Sequence, residues 1–318
     1  MAKPTRIFFV ADLHGSERCF RKFVNAGRIY EAQVLLIGGD IAGKTITPLW
    51  PENGGWTGLH FGMRRWVQTD SDLAKFEEDL RAIGSIPYRT TPKEWEEISA
   101  DRRRADALFR QLALEVLRRW LALAESRLKG SGVRMLIGLG NDDFDEMEEV
   151  LTSSDYVELT DLRLLRLDDS HELLTLPYSN ITPWHTNREL SETEIAERVR
   201  AAAEKLEHPE RTVFNIHVPP AGTQLDLAPR LTPDLTKVMG PGGEPELVHV
   251  GSTAVRAAIE QFQPLLGLHG HIHESKGFSQ LGRTLCVNPG SVYSEGILQG
   301  LVVDLDRDGV RSHVLTTG

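Results

Sequence analysis

The chain has 318 residues and a formal net charge of −10, with 36 Lys and Arg against 46 Asp and Glu. Such an acidic chain is poorly suited to broad binding of a nucleic-acid backbone, which needs a basic surface. Hydrophobic residues make up 40% of the sequence. No apolar run approaches the ~18 residues of a membrane-spanning helix, so we expect no contact with a membrane.

The first predicted elements alternate between strand and helix. An apolar strand covers residues 7–10 and precedes a helix over about 16–26, which Gly27 is expected to end. A second apolar strand covers 34–37 and leads into Asp40. This alternation favours an α/β fold.

A long insertion follows the second strand. About one hundred residues separate Asp40 from Asn141, whereas a crossover with one helix needs roughly 30 residues or a little more. The excess predicts an insertion at about 44–105, mostly helical, that caps the scaffold. Its first part, 47–66, is rich in Pro, Gly and Trp and is expected to be a structured loop.

Helices are predicted for the rest of this interval. Apolar residues recur at helical spacing over about 71–83, with Gly84 beyond. Thr91-Pro92-Lys93-Glu94 combines an N-cap, a proline at the first helical position and an acid at the third, which is a strong helix start. This helix either continues or breaks before Leu108, and the helical pattern then extends to Gly130. Its later half is expected to be the crossover helix of the scaffold.

The second half of the chain returns to a mixture of strands and helices. A short helix is expected at 144–152, and strand-like pieces at about 157–178. Ser191-Glu192-Thr193-Glu194 is a capping box that opens a helix to about Leu206. An extended loop is expected at 218–222.

Five short segments carry side chains that can bind a metal, and each follows an apolar, strand-like run. The seven candidate ligands are Asp12, His14, Asp40, Asn141, His217, His271 and His273. Ligands at strand ends can converge on one edge of a sheet, the usual position for sites in α/β folds. Imidazole, carboxylate and one amide suit a mid-row divalent metal such as Mn, Fe or Zn.

Each segment taken alone also has a structural explanation. A lone His at a strand end is commonly a hydrogen-bonded structural residue, and Asn141 can serve as a turn residue. His269 either orients a ligand or is structural in the same way. The ordered set is much harder to obtain by chance, and Gly270-His271-Ile272-His273 is its most specific part.

In this order the segments resemble the calcineurin-like metallophosphoesterase superfamily, whose pattern is D-x-H, G-D, G-N-x-[DE], H and G-H-x-H. Asn288-Pro289-Gly290-Ser291 resembles its small bacterial and archaeal, phosphodiesterase-like branch. The resemblance covers residues 5–43 and about 131–318. It implies a two-sheet α/β/β/α sandwich with a two-metal site at one sheet edge.

The resemblance also implies a role for each ligand. A first metal would take Asp12, His14, Asp40 and His273, and a second would take Asp40, Asn141, His217 and His271. Two divalent ions (Mn, Fe, Zn or Ni) about 3.5–4 Å apart repel each other, so a shared carboxylate and a shared hydroxide are needed between them. The hydroxide would attack phosphorus while the metals neutralise charge on the phosphoryl oxygens.

The chain departs from the family pattern at Asp142. Many members carry a His there, which is credited with protonating the leaving group. A carboxylate beside two dications should have a lowered pKa and stay ionised at neutral pH, so Asp142 would be a poor acid. The alternative is a solvated loop residue. Asp143 matches the family acid that normally orients the His, and without that His its role is open.

The insertion is expected to shape the substrate pocket. It leaves the sheet just after Asp40, so residues about 44–66 are predicted to form one wall and to exclude duplex nucleic acid. Packing sideways as an oligomer contact is the alternative. Trp50 and Trp56 either stack a substrate base or join a satellite core, and Lys44 either reaches a substrate phosphate or is a surface lysine. The same satellite core is predicted for Trp66, Trp95 and Trp120.

We therefore predict a metal-dependent phosphoesterase that acts on small phosphodiesters or nucleotides, with Asn141 and Asp142 as catalytic residues. One rival is a non-catalytic metal-binding scaffold for a partner protein, which the complete ligand set disfavours. The other is a nuclease, which the acidic charge disfavours. The oligomeric state is left open.

Compartment and domain organisation complete the expectations. The start, Met1 to Arg6, runs directly into a strand and lacks the architecture of a signal peptide. Cys19 and Cys286 are predicted to be small core or surface residues rather than a disulfide, which suits the cytoplasm. The length permits one large domain or two small ones, and we predict a single domain over 1–318.

Overall fold

A computed structural model describes residues 4–60 and 62–318, without the side chain of His60. Met1 to Lys3, part of the segment expected to lack signal-peptide architecture, lie outside the described residues. The described residues form seven α-helices: α1 (Glu17–Ile29), α2 (Asp70–Ala82), α3 (Pro92–Ala100), α4 (Arg102–Leu128), α5 (Glu146–Thr152), α6 (Glu192–Ala203) and α7 (Thr253–Phe262). None of these seven combines the length and the apolar character that crossing a membrane requires.

A first six-stranded sheet has its parallel strands at one side. Its members are β1 (Thr5–Val10), β2 (Val34–Gly38), β7 (Arg134–Gly138), β8 (Val157–Leu159), β19 (Gln299–Asp306) and β20 (Gly309–Thr317). Their order is β20-β19-β1-β2-β7-β8. The strands from β1 to β8 in this order are parallel, while β19 runs antiparallel to both of its neighbours.

A second six-stranded sheet has four parallel strands between two antiparallel edges. Its members are β9 (Leu164–Arg166), β10 (Glu172–Leu176), β13 (Thr212–Ile216), β16 (Leu266–Leu268), β17 (Gly277–Leu281) and β18 (Thr284–Asn288). Their order is β17-β18-β16-β13-β10-β9. Two short pairs lie outside both sheets: β11 (Ser179–Asn180) with β12 (Glu189–Leu190), and β14 (Leu227–Pro229) with β15 (Leu247–His249).

Alternation along the strands separates the two faces of each sheet. Phe9 of β1 faces the second sheet, where it shares a core cluster with Val213 of β13. Its neighbour Phe8 points the other way, into a cluster with α1, α4 and α5. Successive side chains of a strand point to opposite faces, so both faces of β1 are buried. The helices α6 and α7 cover the outer face of the second sheet. These layers confirm the predicted α/β/β/α sandwich.

The first part of the insertion is a β-meander, so the predicted loop over 47–66 is wrong. The strands β3 (Thr45–Glu52), β4 (Gly55–His60), β5 (Met63–Val67) and β6 (Ser85–Arg89) form a sheet in the order β5-β4-β3-β6. Helices therefore make up only part of the insertion. The hairpin between β3 and β4 turns at Asn53 and Gly54, which both have positive φ. Asn-Gly is the strongest short-range hairpin signal.

The insertion has its own small core and is docked on the scaffold. Leu49, Phe76 and Leu80 are fully buried in this core, and Trp56 packs against it. Where α2 ends, the hydroxyl of Ser16 donates a hydrogen bond of 2.6 Å to the carbonyl of Ala82. The insertion therefore contacts the loop that follows β1.

Other predicted elements are confirmed, with three corrections. The helices predicted at 71–83 and after Thr91 are α2 and α3, and α4 is the crossover helix. Gly27 lies inside α1, which ends at Ile29. Trp66 is 46% exposed rather than buried in a satellite core. Trp120 belongs to the scaffold core, where its ring stacks on Phe20 at 4.2 Å.

Replacing Gly84 with Ala is expected to destabilise the protein by about 3 kcal/mol or more. Gly84 has φ +86°, and a Cβ there would lie 2.1 Å from the carbonyl oxygen of His14. Gly54→Ala is the matched control, because Gly54 has φ +76° and open space around a Cβ. The control should cost only about 1–2 kcal/mol of backbone strain. Equal losses in denaturant unfolding would contradict docking of the insertion at this loop.

Candidate metal centre

The seven candidate ligands meet at the edge where the parallel strands of both sheets end. Each lies just beyond the carboxyl end of its strand: Asp12 and His14 after β1, Asp40 after β2, Asn141 after β7, His217 after β13, and His271 and His273 after β16. The first sheet supplies four of them and the second sheet supplies three. All are buried or half-buried. The structure therefore brings every predicted ligand together at the edge where the two packed sheets meet.

One group of ligand atoms surrounds the imidazole of His14. Its Nε2 lies 3.0 Å from Nε2 of His273 and 3.9 Å from Oδ1 of Asp12. His273 Nε2 lies 3.5 Å from the same carboxylate oxygen. The three side chains each offer an atom within 4.8 Å of the others and could hold a metal ion.

A second group lies beside the first and has Asp40 between them. Oδ2 of Asp40 lies 3.3 Å from Nε2 of His217 and 3.7 Å from Nε2 of His14. Nδ1 of His271 lies 2.7 Å from Oδ1 of Asn141. Asp40, His217 and His271 could likewise hold a metal ion. The carboxylate of Asp40 faces both groups.

The chemistry of these donors fits divalent metals. The Nδ1 atom of His217 lies 3.1 Å from the carbonyl oxygen of Gly38, the geometry of a donated N–H. Its Nε2 is buried and makes no hydrogen bond of good geometry, and Oδ2 of Asp40 is its charged neighbour at 3.3 Å. An unpartnered buried nitrogen is costly unless a ligand satisfies it. Together with the carboxylates of Asp12 and Asp40, it forms the nitrogen and oxygen donor set that such metals take.

The pKa values of the histidines shift in both directions, downward at His14 and His271 and upward at His217 and His273. Burial lowers the pKa of His271 to about 4 and lowers that of His14 well below its usual value. Both imidazoles are then neutral at pH 7 and can offer lone pairs. Burial also lowers the pKa of His217, but the carboxylate of Asp40 outweighs it and raises that pKa to about 10. A metal at His217 must therefore displace a proton.

Four of the seven ligands have left-handed backbone conformations. The φ angles are 58° for Asp12, 41° for His14, 54° for Asp40 and 67° for His271. Residues other than glycine seldom adopt this region, and the strain persists only where the surroundings enforce it. Here the loop after β1 donates backbone hydrogen bonds to the loop after β2, from Asp12 to Gly39 and from His14 to Asp40.

Asp143 holds two ligand loops together, which resolves the role that the sequence left open. Its buried carboxylate accepts hydrogen bonds from the backbone N–H groups of Ile41 and Ala42, and from that of Gly140. The first two follow Asp40 and the third precedes Asn141. Burial and the charge of Asp40 raise the pKa of Asp143 to about 7, although these N–H groups oppose the shift.

Asp142 is not a solvated loop residue. Its Oδ2 lies 2.7 Å from Nζ of Lys44 and 3.7 Å from Nδ1 of His14. Its backbone N–H donates to Oδ1 of Asp40 at 2.9 Å. Burial and the charge of Asp40 raise the pKa of Asp142, against the lowering effect of Lys44. The lowered pKa expected beside two dications stays a prediction.

Residues of the Asn288-Pro289-Gly290-Ser291 stretch hold two ligand loops, the one after β16 and the one after β1. The amide of Asn288 donates to the carbonyl of Ile272 at 2.9 Å, and the hydroxyl of Ser291 donates to that of Asp12 at 2.7 Å. The motif was visible in the sequence, but these contacts were not. His269 contacts the carbonyl of Ile216 at 2.8 Å through Nδ1, so its structural interpretation is favoured.

Two further parts of the site carried no signal in the sequence. The ring of Tyr293 packs on those of His14 and His273, at centroid distances of 4.7 and 5.8 Å. Thr186 accepts a hydrogen bond of 2.8 Å from the amide nitrogen of Asn141, whose oxygen faces His271. The Thr186 contact thereby orients the amide of the candidate ligand.

Comparisons with known proteins agree with this architecture. No family model matches the chain. The uncharacterized protein MJ1162 of Methanocaldococcus jannaschii is 30% identical over 153 residues, which are 47% of this chain and 61% of that protein. One crystal structure superposes with a TM-score of 0.57 at 15% identity, covering 99% of this chain and 98% of the other. TT1561 of Thermus thermophilus gives a TM-score of 0.51 at 14% identity, with the same coverage. At these identities the likeness shows the fold alone, an α/β architecture.

Asp143→Asn is expected to reduce metal uptake and to lower the melting temperature. The new amide nitrogen would face a backbone N–H group that now donates a hydrogen bond to the carboxylate. Losing one hydrogen bond to a charged group costs about 1.5–3 kcal/mol. Thermal unfolding with and without added Mn²⁺, and metal content after dialysis, measure both effects. Asp308→Asn is the control, since Asp308 is exposed and lies in the turn between β19 and β20. Equal behaviour of the two variants would show that the loops do not need this contact.

Proposed function

We propose that the chain is a metal-dependent phosphoesterase that hydrolyses small phosphodiesters or nucleotides. The observation that carries the proposal is the pair of adjacent Asp/His groups with Asp40 facing both. Buried carboxylates are costly without a positive partner, and buried imidazoles are costly without a hydrogen bond or a ligand. A binding surface for another protein would have no need of them.

The proposed ligands follow the two groups. Asp12, His14, Asp40 and His273 would hold one divalent ion, and Asp40, Asn141, His217 and His271 would hold the second; Mn, Fe, Zn and Ni are the candidates. When bound, such ions supply positive charge for the phosphoryl oxygens and acidify a water molecule that attacks phosphorus. A neutral Asn at 141 adds an oxygen donor without adding a third carboxylate to the two of Asp12 and Asp40.

The proposed chemistry lacks a histidine acid at position 142. Oδ2 of Asp142 lies 2.7 Å from Nζ of Lys44. The carboxylate is expected to remain ionised beside the metals. The leaving group would then depart without strong proton donation from the chain. Activated esters, whose leaving groups are stable anions, are the substrates that such a site handles best.

Substrate size and setting follow from the insertion and the charge. We propose a single domain in which residues about 44–66 form one wall of the pocket, so that small phosphoesters enter and duplex nucleic acid does not. The net charge of −10 supports this choice over a nuclease. Two buried free cysteines, Cys19 and Cys286, are consistent with a cytoplasmic location.

Asp40→Ala is expected to lose both metals and nearly all phosphoesterase activity, because one side chain serves both groups. His14→Ala should retain more metal than Asp40→Ala, since it leaves the second group (Asp40, Asn141, His217 and His271) complete. Elemental analysis of protein purified from metal-supplemented medium gives the number of metal ions per chain. Glu158→Ala, which removes an exposed ion pair with Arg134, is the control. A wild type without metal after such growth would sink the proposal.

The wild-type rate is expected to fall steeply as the pKa of the leaving group rises. Proton transfer by a positioned acid is typically worth ~10²–10⁴-fold, and Asp142 does not supply it. Asp142→His should flatten the dependence across a series of aryl and alkyl phosphodiesters. The measurement is the slope of log kcat/KM against leaving-group pKa. A flat wild-type slope, with the chemical step shown to be limiting, would contradict the assigned role.

A further inference from the structure

Lys44 places a positive charge next to the candidate metal centre. Its Nζ lies 2.7 Å from Oδ2 of Asp142, and its side chain is still 42% exposed. Lys44 lies between β2 and β3, four residues after Asp40. The ammonium group is therefore held at the site and remains open to solvent on one side.

Asp142 joins this ammonium group to both ligand groups. His14, Asp40 and Asp142 each offer an atom within 4.8 Å of the others. Among the ion pairs of the described residues, the one with Lys44 is the only pair that joins a Lys or Arg to the seven candidate ligands and Asp142. Lys44 is thus the cation that the chain itself contributes here.

A lysine beside a dication site is repelled when the metals bind, because like charges a few ångströms apart interact strongly. Placing the Lys44 ammonium group beside the metals is favourable only if anions next to it offset that repulsion. Asp142 is one such anion. An incoming phosphoryl group, which carries negative oxygens toward the metals and toward solvent, is the second.

We propose that Lys44 binds a non-bridging phosphoryl oxygen of the substrate and that Asp142 is a positioning residue that holds the ammonium group in place. The proposal rests on the proposed phosphoesterase function. It gives Asp142 a role in placing charge rather than in donating a proton. Of the two alternatives for Lys44, phosphate binding is thereby preferred to a surface lysine without a role in binding.

The test is the binding of inorganic phosphate to the metal-loaded protein, measured by isothermal titration calorimetry with the metal content of each sample. Lys44→Ala should weaken phosphate binding roughly tenfold or more, as loss of a hydrogen bond from a charged donor does. Lys44→Arg should retain most of the affinity because the charge remains. Lys129→Ala is the matched control, since it removes an exposed lysine paired with Glu125 at 2.6 Å.

The positioning role is tested by a double-mutant cycle with Asp142→Asn. That change should weaken phosphate binding several-fold when Lys44 is present and have little effect in the Lys44→Ala background. Equal effects in both backgrounds would overturn the positioning role. Tighter phosphate binding by Asp142→Asn would also overturn it, because Asp142 would then compete for the ammonium group. Loss of metal from Asp142→Asn would make Asp142 a ligand instead.

Failure of this inference differs from failure of the proposed function. A wild type that takes up metal and binds phosphate, together with a Lys44→Ala variant of equal affinity, removes only the role of Lys44. A wild type that takes up no metal and hydrolyses no phosphoester removes the proposed function, and the role of Lys44 falls with it.

Discussion

The candidate metal centre is built around two buried carboxylates, Asp12 and Asp40, whose negative charge the surrounding residues must offset. Neither is exposed beyond 2%, and buried negative charges are stable only when hydrogen bonds and cations surround them. The chain provides part of that environment itself. The backbone N–H of His271 donates to Asp12, and that of Asp142 donates to Asp40. Neighbouring imidazoles lie within 4 Å of both carboxylates, and divalent metals would offset the remaining negative charge.

Because the ligands come from both sheets, the geometry of the centre depends on how the sheets pack. Phe9 and Val213 lie in the core between them, on the strands that lead into Asp12 and His217. Asp143 and Asn288 then fix loops that strands alone would leave adjustable. This is the arrangement expected of a preorganised site, in which rigid elements place the ligands and surrounding hydrogen bonds hold their orientation.

The ligands could be predicted from sequence because each directly follows an apolar strand and has a recognisable neighbour, as in Gly270-His271-Ile272-His273. The meander over 45–67 was missed because Pro48, Pro51 and the Trp residues suggested a loop, although Asn53-Gly54 marked the hairpin. The contact between Lys44 and Asp142 joins residues almost one hundred positions apart. No local pattern encodes such a pairing, since it arises only when β2 and β7 lie side by side. The same holds for Tyr293, whose ring contacts depend on tertiary packing.

The position of the insertion also bears on how the chain folds. The parallel strands β2 and β7 pair directly, yet about ninety-five residues separate the end of one from the start of the other. Closing so long a stretch of unstructured chain costs entropy, and parallel pairing of distant strands is intrinsically slow. Because Leu49, Phe76 and Leu80 belong to a core made within the insertion, its contacts are local and can form early. An insertion that collapses first shortens the span left to close, so the segment that leaves the first sheet just after Asp40 would also ease the pairing of β2 with β7.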